Sequence, residues 1–90
     1  MQVFVASNIS DPALVRSKLE QRYSDSYFDD ENTFFVATEG ETTRQLASKI
    51  GLGDEEPATS GIVIPVTSFW GRYNSEVWEW ISVKLSVNGR

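Results

Sequence analysis

Apolar and polar positions along this chain fall into blocks that predict a β-α-β-β-α-β order followed by one C-terminal element. Gln2 to Asn8 is apolar and β-rich (Val3, Phe4, Val5) without clean alternation, the pattern of a central strand covered on at least one face. Ser10-Asp11-Pro12 then places an oxygen-bearing cap residue before proline, which opens a helix. Val15, Leu19 and Tyr23 at i, i+4 and i+8 give that helix one apolar stripe from about Pro12 to Tyr23. Ser26-Tyr27-Phe28, the polar turn Asp29-Asp30-Glu31-Asn32 and Thr33–Thr38 read as a β-hairpin. Thr42, with Gln45 three residues on, forms a capping box for a helix from Thr43 to Ile50, stopped by Gly51 or Gly53. Asp54 to Ser60 is a loop by its charge, proline and small polar residues. Ile62-Val63-Ile64-Pro65-Val66 is a strand whose proline cannot donate to a ladder, so it belongs at a sheet edge or a bulge.

The C-terminal element, from about Ser75 to Ser86, has Val77, Ile81 and Leu85 at i, i+4 and i+8, with Asn74 as a candidate cap. Its pattern fits a helix, or a mixed segment adding a fifth strand near Val83–Val87. Trp78 and Trp80 lie about 200° apart on a helix, and one shallow core would struggle to bury both indoles. The expected fold is a single α+β domain over residues 1–90, ferredoxin-like βαββαβ: an antiparallel four-stranded sheet with two helices on one face. In its usual strand order, 4-1-3-2, the fourth strand is an edge, where Pro65 is tolerated.

Ninety residues suit one small domain, and a core of that size is thin. Eight basic against 13 acidic side chains give a net charge of -5, a balance that repels polyanions and disfavours nucleic-acid binding. There is no Cys, which removes disulfides, thiolate nucleophiles and zinc-thiolate sites. There is no His, which removes the usual neutral-pH general base and any Ser-His-Asp triad. No apolar run approaches a transmembrane span, and Met1–Ala6 carries no basic signal-peptide region. The expected compartment is the cytoplasm.

Several of these segments resemble, in kind and order, the small CRISPR-associated adaptation and endoribonuclease protein family and its single-domain relatives. They are Val3–Asn8, Thr33–Val36, the capped Thr42–Ile50 helix, Gly61–Val66, and the tail Phe69-Trp70-Gly71 followed by Glu76-Val77-Trp78-Glu79-Trp80. The resemblance implies a ferredoxin-like homodimer. In catalytic members it also implies a metal-binding Asp at the end of the first strand, holding Mg²⁺ between two subunits. Here that position falls at Asn8, whose neutral amide lacks the charge a hard cation needs. The resemblance is therefore to a divergent, non-catalytic form.

Other candidate chemistry has a plainer reading beside it. Asp29-Asp30-Glu31 and Asp54-Glu55-Glu56 lack the ligand spacing of a calcium loop and read as solvated turns. Gly51-Leu52-Gly53 follows a helix and lacks a third glycine, so it ends the helix rather than cradling phosphate. Ser7, Ser10 and Thr42 have no His to activate them, and Lys18, Lys49 and Lys84 sit at solvent-facing positions. Trp70, Arg72, Tyr73, Trp78 and Trp80 form the densest group, read as core closure plus a partner or self-interface, with one of Trp78 and Trp80 buried by a second subunit. The expectation is a homodimeric interaction or structural module, one that also accommodates another protein partner, with no catalytic residues, no cofactor and no bound metal. The alternatives are a Mg²⁺-dependent endoribonuclease, with Asp11 or a loop acid replacing the missing carboxylate, and a single-strand or nucleotide binder stacking bases at Trp70, Arg72 and Trp80.

Overall fold

The β-rich run at the start of the chain becomes an inner strand because both of its faces are apolar and both are covered. In the computed structural model, which describes residues 1–30, 32–67 and 75–88, β1 (Gln2–Ser7) pairs antiparallel with two neighbours. The other elements are α1 (Pro12–Arg22), β2 (Ser26–Asp30), β3 (Thr33–Thr38), α2 (Thr43–Lys49), β4 (Ile62–Val66) and α3 (Ser75–Asn88). Over the described residues the protein is thus α+β, with three helices and one four-stranded antiparallel sheet in the order β2-β3-β1-β4. Pro65 lies opposite Phe4 on β4, at the sheet edge the proline demands.

Side chains alternate across the pleat, so the register decides which residues share a face. Phe4 and Ala6, opposite Val36 and Phe34, face a core shared with Val15 and Leu19 of α1 and with Leu46 and Ile50 at the end of α2. Both of these helices therefore cover one face. Val5 and its partner Phe35 point the other way, where Val77 and Ile81 of α3 pack on them with Tyr27, Val66, Trp80 and Leu85 around the rim. The C-terminal segment is helical through Asn88, so Val83–Val87 adds no strand. It builds a second core, on the face the first two helices leave open. Among the described residues, no helix is long and apolar enough to cross a membrane.

Local chemistry places the helix ends where the sequence puts them. Asp11 caps α1, its carboxylate accepting the Leu14 N–H at 3.3 Å, with Pro12 at the start. Thr42 and Gln45 complete a reciprocal capping box at α2: the Gln45 N–H donates to Thr42 Oγ1 at 3.1 Å, and the Thr42 N–H donates to Gln45 Oε1 at 2.9 Å. Gly51, at φ 89, supplies the left-handed residue that ends α2. A seven-residue helix cannot hold itself in water, so the box and the burial of Leu46 must hold it. Thr42→Ala should lower unfolding free energy by about 1 kcal/mol in a urea titration. No shift of the midpoint would show that packing alone fixes α2.

Candidate functional site

At the end of β1 the chain turns on Asn8, which is exposed and sits at φ 55. Asn is among the few non-glycine residues that adopt this left-handed backbone readily, so the turn itself accounts for the residue. Next along the chain, Ile9 enters the core and the Ser10 N–H donates to the Ser60 carbonyl at 2.9 Å. Asp11, the carboxylate available to replace the missing one, spends an oxygen on the first turn of α1. Among the described residues, no three acidic side chains group closely enough to hold a metal ion.

The acidic turn that begins at Asp54 is tied into the fold by basic partners. Asp54 pairs with Arg44 at 3.2 Å and Glu55 with Arg22 at 3.5 Å. Arg16 pairs with Glu20, and its guanidinium also lies 4.3 Å from the Phe28 ring centroid. Lys49 pairs with Glu41 and Lys84 with Asp25. Five of the described Lys and Arg side chains are therefore paired with carboxylates of their own chain. The pairs made by Arg16, Arg22 and Arg44 are exposed and add little stability.

Trp80 leans over the second core, its ring centroid 6.1 Å from Tyr27 and 6.5 Å from Phe35. Around it, the Tyr27 hydroxyl donates to Glu76 at 3.2 Å, and the Lys84 ammonium sits 5.8 Å from the indole and 3.0 Å from Asp25. Trp80 thus packs, partly buried, against Tyr27 and Phe35 of its own chain, on the β2 side of α3. Trp78 is half-buried, and its place on the helix wheel is two residues away. The rest of the expected aromatic group (Trp70, Arg72 and Tyr73), together with the cap candidate Asn74, lies outside the described residues.

One cluster has no obvious signature in the sequence. Glu41, with a side chain only 11% exposed, accepts hydrogen bonds from the Tyr23 hydroxyl at 2.9 Å, from Thr38 Oγ1 at 3.0 Å and from the Lys49 ammonium at 2.7 Å. Burial pushes the Glu41 carboxyl up, but the bonds from Lys49, Tyr23 and Thr38 together outweigh it and hold the group below its ordinary value. Burial, and then the bond to Glu41 and its charge, push the Tyr23 phenol up, so it stays a neutral donor. Tyr23 is the residue that ends α1, Thr38 ends β3 and Lys49 ends α2, so one carboxylate ties three element ends together. With every partner accounted for, the cluster reads as a structural knot. Only the polar tip of Tyr23 on an otherwise apolar stripe, and the place of Glu41 directly before a helix cap, could have drawn notice to it.

The remaining feature is the outer edge of the sheet. Ile62 and Ile64 of β4 are 47% and 46% exposed, while their neighbours in register, Ser7 and Val5, lie on the α3 side of the sheet. Residues 57–71 contain no charged side chain at all, in a chain where 23% of residues are charged. Comparison with protein-family models, with curated proteins and with solved structures finds no match to this chain.

Proposed function

We propose that this protein is a non-catalytic interaction module of ferredoxin-like fold that associates with a second copy of itself through the β4 edge. The observed strand order supports the fold assignment, since read from the β4 side it is 4-1-3-2, and α1 and α2 share one face. The position of Asn8 supports the non-catalytic reading, as a divergent relative in the manner of the CRISPR-associated family, working in the cytoplasm without a cofactor. The observation that carries the association is the pair of half-exposed isoleucines on a charge-free edge that is unpaired among the described residues. An open edge with apolar side chains is a template for another strand, and natural proteins guard such edges with charge, proline and shortness. This edge is short and carries Pro65, but it has no charge. In a molecule of net charge -5, it is also where two copies meet without like-charge repulsion.

Light scattering tests the proposal. The wild-type chain should show the mass of two copies, and Ile62→Lys/Ile64→Lys should halve it with its circular dichroism spectrum unchanged. A wild-type monomer up to about 1 mM would remove the reading.

A further inference from the structure

The β4 edge also carries information about how two copies would align, which rests on the self-association just proposed. Pro65 has no N–H to give Phe4, so the ladder loses nothing only when its nitrogen faces away from β1. Residues two apart share that orientation, so Val63 also turns its N–H and C=O outward. Ile62 and Ile64 turn their backbone groups inward to β1, and both side chains stand on the α3 face. The free edge thus offers Val63 as its central residue, flanked by the two half-exposed isoleucines.

We infer that two copies join β4 to β4 antiparallel, with the twofold axis at Val63, so that Ile62 of each chain lies beside Ile64 of the other. In this register the two Val63 residues exchange both backbone hydrogen bonds, and the Pro65 carbonyl accepts from Gly61 across the interface. All four exposed isoleucines then meet as two cross-strand pairs on one face. Shifting by two residues in either direction sets an isoleucine against its own copy. It also pairs Val63 with Pro65, or with Gly61, and leaves one isoleucine of each chain beyond its match. The isoleucine spacing and the proline therefore select the same alignment. The result is a continuous eight-stranded sheet, with both copies of α3 on one side. A five-residue edge is small beside the 1,200 Å² or more that stable interfaces bury, so the pairing is concentration-dependent.

The register is testable by charge. Ile62→Glu/Ile64→Lys places opposite charges beside each other only in this alignment; in the shifted ones, each chain meets its own charge. The expected result, across a concentration series by light scattering, is a twofold higher mass for this variant and the wild type than for Ile62→Lys/Ile64→Lys. If the wild type doubles while both variants stay single, this register is overturned and the edge association stands. If all three double, the interface lies elsewhere and both readings fall. If the wild type stays single to about 1 mM, the association fails, and the register with it. Circular dichroism of each variant confirms the fold, which exposed positions leave intact.

Discussion

Phe34→Ala should cost about 3–5 kcal/mol of unfolding free energy, the largest effect expected from one substitution in this chain. Phe34 is 1% exposed and sits in β3 opposite Ala6, where the first core is deepest. Its ring meets Phe28 edge-on at 5.2 Å, and Phe28 in turn carries the Arg16 guanidinium. Truncation removes the transfer energy of the ring and leaves a cavity between sheet and α1 that rigid neighbours cannot fill. Small domains have between roughly 5 and 14 kcal/mol in total at this length, so the loss is a large share of it. Urea titration of wild type, Phe34→Ala and Val83→Ala checks it. Val83 is 58% exposed and should change by no more than about 0.5 kcal/mol. Comparable midpoints for Phe34→Ala and Val83→Ala would sink this description of the core.

The same contrast explains what the sequence could reveal. Element ends depend on neighbours within four residues, so Asp11-Pro12 and the Thr42–Gln45 box were legible and lie where expected. The edge strand was legible too, because proline states its requirement locally. The side of the sheet that α3 would take was not legible. Its stripe of Val77, Ile81 and Leu85 is apolar whichever face it meets, and only the open Val5–Phe35 face decides. The choice between helix and fifth strand was undecidable for a related reason: Val83 and Val87 favour a strand locally, while packing of the earlier stripe holds the helix to Asn88. Trp80 shows the same limit. The aromatic density around it reads equally as core closure and as an interface, and the in-chain ring partners, Tyr27 and Phe35, lie about 50 residues earlier in the chain.

Glu41 is the clearest case of a residue the sequence could not place, and it yields the second large effect. Glu41→Gln keeps the shape of the side chain and lets an amide oxygen accept from Tyr23 and Thr38, but it removes the charge that meets Lys49. The expected loss near neutral pH is about 1.5–3 kcal/mol, the range for hydrogen bonds to a charged group. Its pH dependence has a definite sign. The folded carboxyl titrates below its ordinary value of 4.5, so the native state binds its proton less readily than the unfolded chain does. The stabilisation from ionised Glu41 is therefore complete above 4.5, and it fades as the pH falls through the lower folded value. Urea midpoints of wild type and Glu41→Gln should differ most near neutrality and converge on acidification, as the wild type loses what the variant lacks at every pH. A gap between the two that stays constant across this acid range would show that the carboxylate charge contributes nothing. The knot would then be held by the Tyr23 and Thr38 hydroxyls alone.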